Sequence, residues 1–354
     1  MVKVLIVDDS AFMRSALSNM LRSDPEIQIV GVARDGLEAI EKIVQLKPDI
    51  VTMDVEMPRM DGISALRHIM ATTPVPVIMV SSLATEGAHT TLEALEIGAV
   101  DFIPKNLSDL SLNILRLKEV LIDKIKQLAR RGLPRRNFRP SPRPSLVNHA
   151  PSAAPIAVAR TTGDRRMGLI AIGTSTGGPK ALQEILPNLP KDFPLPIVIA
   201  QHMPPNFTGP FAERLNQLSK IEVREAKEGD ALRVGLALLA PGGGHMRIVR
   251  KRGIETTVTI SEDRENFIYR PSVDALMLSV AQLFPGRALG VILTGMGNDG
   301  AKGLAELKKT GGRIFAQNEE TCVVYGMPKA VVDAGIADKV LPLEDIAGEI
   351  VNSA

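Results

Sequence analysis

Five times within the first 128 residues a short β-branched, aliphatic run is followed by a longer amphipathic stretch, and this alternation admits few folds. Strands joined through helices run parallel, and parallel strands need cover on both faces. The runs predict strands at Val2–Val7, Ile27–Ala33, Ile50–Asp54, Val77–Ser81 and residues 100–104. Each ends at a polar residue. In a parallel sheet those carboxyl ends share one edge, so Asp8, Asp9, Asp54, Ser81 and Lys105 are expected to converge there.

Three carboxylates brought together repel one another, and at least one is pushed toward its neutral form unless a cation intervenes. Mg²⁺ suits such a set, because it binds one or two carboxylates, keeps several waters and accepts an incoming phosphate oxygen. Beside that ion and Lys105, an ionised Asp54 is placed to attack a phosphoryl donor. The plainer reading is a row of solvated acids at strand ends. Among them Asp9 or Ser10 would cap the helix that starts at Ala11.

A chain of 354 residues exceeds one ordinary core, and its composition divides it into three: a domain over 1–128, a linker over 129–165 and a second domain over 166–354. A helix over 107–131 runs into Pro134, Pro140, Pro142, Pro144, Pro151 and Pro155, interspersed with Arg135, Arg136, Arg139 and Arg143. Such a stretch cannot bury a core and reads as an extended spacer. Overall charge nearly cancels, with Lys+Arg 42 against Asp+Glu 40, so no global electrostatic argument for nucleic acid follows. Aromatics at 3% and no Trp argue against a base-stacking platform. The single cysteine, Cys322, suits a reducing compartment. Asp8 and Asp9 interrupt the N-terminus before a signal core can form, and no apolar run approaches a membrane span, so a soluble, cytoplasmic chain is expected.

The second half resumes the alternation with strands predicted at 168–172, 197–200 and 289–294, and with antiparallel hairpins at 222–226, 237–240, 246–249 and 256–260. The first strand stops at Gly173-Thr174-Ser175-Thr176-Gly177, a Gly-x-Ser-x-Gly turn of the nucleophile-elbow type, and Pro179 opens a helix behind it. A serine nucleophile needs a base, an orienting carboxylate and oxyanion donors. His202 and Asp299 follow the other two parallel strands, so three loops meet at one sheet edge. The Thr176 N–H and the 295–297 loop are the natural donors. His245, within Pro241-Gly242-Gly243-Gly244-His245, is a rival base, and Asp299 also fits a cap for the helix after Gly300. A competing reading takes Gly295-Met296-Gly297-Asn298-Asp299-Gly300, with Glu319 about 20 residues on, as a Rossmann dinucleotide fingerprint and the domain as an NAD-binding oxidoreductase.

Asp8-Asp9, Asp54 with Met57-Pro58-x-x-Asp61-Gly62, Ser81-Ser82 and Lys105 make the first segment resemble a response-regulator receiver domain. The resemblance implies a flavodoxin-like (βα)5 fold with Asp54 as phosphoacceptor. It further implies Mg²⁺ held by Asp8, Asp9, Asp54 and the Glu56 carbonyl, phosphoryl contacts from Ser81 and Lys105, and Phe102 as switch aromatic. Proline usually follows that lysine; here Asn106 does, so no cis bond is expected there. The second half resembles the catalytic domain of the chemotaxis protein-glutamate methylesterase family (CheB-type). It does so in the Ser175 turn, Gln201-His202-Met203-Pro204, Arg270-Pro271-Ser272-Val273-Asp274, the 294–300 loop and Val324-Tyr325-Gly326-Met327-Pro328.

That resemblance implies a doubly wound, mostly parallel α/β domain with Ser175, His202 and Asp299 as triad and Thr176 and Met296 at the oxyanion. The activity implied is hydrolysis of glutamate methyl esters, and deamidation of glutamines, on chemoreceptor cytoplasmic domains. A chemotaxis histidine kinase would be the phosphodonor, and the unphosphorylated receiver would pack across the catalytic mouth. A cytoplasmic monomer without nucleic-acid binding or membrane insertion is expected, with no cofactor for the esterase. A DNA-binding response regulator is the remaining alternative, and the glycine- and β-rich second half fits it poorly.

Overall fold

A computed structural model describes residues 1–81, 85–105, 114–131, 167–250, 255–262 and 267–354. Ser82, Asn106 and residues 132–165 of the Pro/Arg-rich linker lie outside the described residues, while 129–131, read as the start of that linker, end a helix.

The first half alternates β1 (Val2–Val7), α1 (Ala11–Leu21), β2 (Ile27–Ala33), α2 (Gly36–Leu46), β3 (Ile50–Asp54), α3 (Gly62–Thr72), β4 (Val77–Ser81), α4 (Thr85–Ile97), β5 (Asp101–Pro104) and α5 (Ile114–Arg131). The five strands pair in parallel in the order β2-β1-β3-β4-β5. Strands β3 and β4 are buried along their whole length and β1 everywhere but at Lys3, between helices on the two faces, as the alternation requires. Ser10 caps α1 by accepting from the Met13 N–H, so the cap falls to Ser10 and leaves Asp9 exposed.

In the second half, β6 (Leu169–Thr174), α6 (Gly178–Ile185), β7 (Ile197–Gln201), α7 (Pro205–Leu218), β8 (Glu222–Glu225) and β9 (Leu236–Leu239) precede a hairpin of β10 (His245–Arg250) and β11 (Thr256–Ser261). Then come α8 (Val273–Leu283), β12 (Ala288–Ile292), α9 (Ala301–Lys309), β13 (Arg313–Gln317), α10 (Met327–Asp333), β14 (Lys339–Leu341) and α11 (Leu343–Ser353). Among the described residues one parallel seven-stranded sheet runs β14-β13-β12-β6-β7-β9-β8, and β10 pairs with β11 antiparallel. The chain leaves β6 toward β7 on one side and later returns to β12 on the other. The crevice therefore opens at the carboxyl end of β6, where the winding direction reverses.

One expectation is corrected. Residues 222–226 and 237–240 do not form a hairpin: β8 and β9 pair in parallel and extend the main sheet. The segment between them crosses to the hairpin, where Gly229 donates to Val258, Val258 to Asp230 and Leu232 to Thr256, before returning in the same direction. The Leu-Ala-Leu-Leu run of β9 is wholly buried, the signature of a parallel interior strand.

The two halves share a core. One apolar cluster includes Leu5, Met79 and Phe102 of the first and Ile170, Phe207 and Phe211 of the second. Phe102 on β5 stacks on Phe207 of α7 with ring centroids 4.6 Å apart. Glu96 of α4 accepts two bonds from the Arg214 guanidinium of α7 (2.5 and 2.9 Å).

Candidate active site

Three adjacent strands, β12, β6 and β7, end in the loops that carry Asp299, Ser175 and His202. The turn after β6 bends at Gly177, at φ +78° and directly before α6, where a side chain is strained. A Cβ there would also lie 2.5 Å from the Val323 Cβ. Ser175 itself has ordinary backbone geometry, so the bend falls two residues after the serine and the turn differs from a strained nucleophile elbow. Pro179 occupies the first helical turn of α6, as expected.

His202 is 9% exposed and bonds the Asp299 Oδ2 through Nε2 at 2.8 Å. Its Nδ1 is buried with no hydrogen-bond partner. The carboxylate thus fixes the tautomer with the proton on Nε2 and leaves the Nδ1 lone pair free to take a proton. Asp299 also accepts from the Ser272 hydroxyl (2.9 Å), the Val273 N–H (2.7 Å) and the Asp274 N–H (3.1 Å). Burial pushes this carboxyl up, but the His202 bond, the His202 charge and these N–H groups outweigh it and hold it below the ordinary carboxylate range. Asp299 does not cap α9. That task falls to Asp274, which accepts from the Gly300 and Gly303 N–H groups (3.0 and 2.7 Å).

Gln201 ties the loops together, its amide donating to the carbonyls of Ser175 (2.9 Å) and His202 (3.0 Å). The Ser175 N–H is taken by the Thr294 carbonyl. Among the described residues the N–H groups of Thr176 and Met296 have no such partner. The 295–297 loop lies against the serine, since a Cβ on Gly295 would sit 2.9 Å from the Ser175 Cβ. Ser175, Thr176, His202 and Met296 line one cleft of about 310 Å³.

His245, the rival base, is fully buried behind this site, where its Nδ1 accepts from the Ser272 N–H at 3.3 Å. The Rossmann reading fails on the same loop. Gly295 gives its carbonyl to Gly326 and Met327, Gly300 packs on Val273 and Asp299 holds His202, so the glycines serve close packing.

The far wall of the cleft comes from the first half. Asp101, Phe102, Ile103, Pro104 and Lys124 face Ser175 and His202 across it. The Asp101 Oδ2 accepts from the Thr176 hydroxyl at 2.8 Å and pairs with the Lys124 ammonium at 2.7 Å. Sequence reasoning gave Asp101, Gln201 and Ser272 no role. Gln201 and Ser272 stood in recognised motifs, but only the folded loops show what they hold.

At the edge of the first sheet, oxygens of Asp8, Asp9 and Asp54 lie within 4.8 Å of one another. Asp8 and Asp54 are 0% and 1% exposed. Desolvation pushes the Asp54 carboxyl up to about 6 although Lys105 pairs with it. Asp8 is raised likewise; its Oδ2 is buried with no hydrogen-bond partner and has the Lys105 ammonium, 3.6 Å away, as its cationic neighbour. Three crowded acids sharing one ammonium are a donor set that suits a hard divalent cation. Glu56 is exposed, and its N–H donates to the Asp54 Oδ1 at 3.3 Å. Ser81 is buried and turned toward α4, donating to the Gly87 carbonyl and accepting from the Thr91 hydroxyl.

Two family models match the chain: one described as response regulator receiver domain over residues 4–114, the other as CheB methylesterase over residues 170–350. Protein-glutamate methylesterase/protein-glutamine glutaminase 1 of Oleidesulfovibrio alaskensis is 52% identical over 367 residues, covering 100% of this chain and 99% of its own length. A protein of the same description from Pyrococcus horikoshii is 47% identical over 354 residues, with 99% and 93% covered. The crystal structure of the Thermotoga maritima CheB methylesterase catalytic domain superposes with a TM-score of 0.52 at 41% identity, covering 53% of this chain and 99% of that one.

Proposed function

The chain belongs to the CheB family of protein-glutamate methylesterases and protein-glutamine glutaminases, regulated by a receiver domain and acting in chemotactic adaptation, and we propose that both reactions run through one acyl-enzyme on Ser175. His202 Nδ1 takes the hydroxyl proton as Ser175 Oγ attacks the glutamyl carbonyl carbon, and Asp299 steadies the imidazolium. Thr176 and Met296 N–H groups receive the oxyanion. The proton passes to the departing methoxide, releasing methanol, or to the amide nitrogen, releasing ammonia. Water activated by His202 then cleaves the acyl ester and leaves a glutamate carboxylate. The observation that carries this reading is the buried, unpartnered Nδ1 of a histidine whose Nε2 is held by Asp299, in the cleft that Ser175 lines.

The substrates are methylated chemoreceptor cytoplasmic domains, and a chemotaxis histidine kinase phosphorylates Asp54, with the chain working as a cytoplasmic monomer. The units behind these steps are a receiver over 1–128, a linker over 129–165 and a catalytic domain over 166–354. Asp8, Asp9 and Asp54 would hold Mg²⁺ with the Glu56 carbonyl, and the ion would neutralise charge on the transferring phosphoryl group. Lys105 and Ser81 contact that group, and Phe102 answers it. In the unphosphorylated chain the β5 wall covers the cleft, and phosphorylation favours the arrangement in which it does not.

Methanol release from methylated receptor, with and without a small phosphodonor and Mg²⁺, tests the assignment. Ser175→Ala should abolish release while leaving Asp54 phosphorylation intact; undiminished release from that variant overturns it.

A further inference from the structure

A single hydrogen bond fixes the distance of an imidazole but not its plane. Tethered at Cγ and held at Nε2, the ring of His202 can still turn about the line through those two atoms, carrying Nδ1 away from Ser175. In this chain the ring face is covered. Tyr269 stacks on it with centroids 4.2 Å apart and planes 14° from parallel, and it lines the same cleft. Tyr269 opens the segment whose Ser272, Val273 and Asp274 supply the other three donors to Asp299. One stretch of six residues thus holds the orienting carboxylate from behind and the base from its flat side.

We propose that Tyr269 is a positioning residue for the general base: its ring fixes the plane of His202 so that Nδ1 points at the Ser175 hydroxyl. The stacked face also lies against the imidazolium that forms as the proton transfers, where an aromatic quadrupole attracts positive charge. The benzene ring does this; the hydroxyl is not needed. The inference rests on the Ser175–His202–Asp299 assignment. It adds that the base needs a third restraint, which no hydrogen bond supplies.

The test compares Tyr269→Leu, Tyr269→Phe and Tyr269→His with the parent in the full-length chain, saturated with phosphodonor and Mg²⁺. The readouts are kcat and KM for methanol release, with Asp54 phosphorylation reporting the folded receiver. Tyr269→Leu should lower kcat ~10–100-fold, the scale of an ångström-sized misplacement of a reacting group. KM should stay within about twofold, because uniform substrate binding is untouched. The planar Phe and His variants should keep kcat close to the parent. Unchanged kcat in Tyr269→Leu overturns the proposal. So does a rise in KM at constant kcat, which would make Tyr269 a receptor contact, or a Phe variant as slow as the Leu one, which would put the effect in the hydroxyl. If Tyr269→Leu is lost to misfolding, the His variant decides: restored kcat supports the planar restraint, and a kcat lowered at least tenfold refutes it. Equal release from the parent and Ser175→Ala would instead sink the assignment beneath.

Discussion

Four donors converge on the Asp299 carboxylate: His202 Nε2, the Ser272 hydroxyl and the N–H groups of Val273 and Asp274. An asparagine in its place cannot accept from all of them, and it turns an N–H₂ toward either the histidine or the segment behind it. Asp299→Asn should therefore lower kcat by about 10²–10⁴ with little change in KM, the pattern expected when the tautomer of a base is lost. Asp54 carries the opposite strain. Its carboxyl titrates at about 6 when folded against an ordinary 3.8, so the folded chain binds the extra proton between those values. Stability then falls as pH rises through that window, and above it the buried charge costs the full difference. Asp54→Asn removes this cost. In metal-free buffer at pH 7 it should raise unfolding stability by about 1–3 kcal/mol, read from the urea midpoint, with the gain vanishing near pH 4.

Among the elements, the turn after β6 is the least tolerant of change. Gly177→Ala places a Cβ at φ +78° and against Val323, and should cost about 2 kcal/mol or more of stability, measured by urea unfolding, while displacing Ser175. Much at this scale was legible in the sequence. Strands β1 to β4 fall where their β-branched runs begin and end, and the three site loops follow strands read as parallel. The exception, β8 and β9, has a local cause: an alternating Glu-Val-Arg-Glu and an apolar Leu-Ala-Leu-Leu, separated by Gly229, Asp230 and Gly235, resemble a hairpin until the crossing to β11 is seen. Strands β13 and β14 passed unremarked; β14 is three residues long, with too little pattern to register. The histidines show where sequence stops. Both His202 and His245 lie beside prolines or glycines near strand ends; burial behind Ser272 sets His245 apart, and the Asp299 bond and a place in the cleft mark His202 as the candidate base. Tyr269 gave no signal, because a stacking partner 67 positions away in the chain has no local signature.

Across the whole molecule, the contacts by which the receiver half closes on the cleft include, among the described residues, a polar one inside it and an aromatic stack beside it. Asp101 holds the Thr176 hydroxyl and Phe102 stacks on Phe207. Occlusion then has a specific contact to lose. Asp101→Ala should raise methanol release by the unphosphorylated chain about tenfold or more, by the net worth of one charge-assisted hydrogen bond. Arg214→Ala, which cuts the Glu96 ion pair at the outer edge, should do so less. Receptor demethylation without phosphodonor reads both, and basal rates equal to the parent in both variants would show that this wall does not restrain the enzyme.

Gln201, meanwhile, clamps the carbonyls of Ser175 and His202 with a single amide. Ser175 and His202 are thereby tied to each other, while the wall in front bonds the neighbouring Thr176 hydroxyl. On the proposed occlusion, a wall that moved aside would leave that pair where it stands. Phosphorylation of Asp54 would then set how many copies stand uncovered and not the speed of an uncovered one. Phosphorylated parent and unphosphorylated Asp101→Ala, each corrected for its uncovered fraction, should turn over at one common rate.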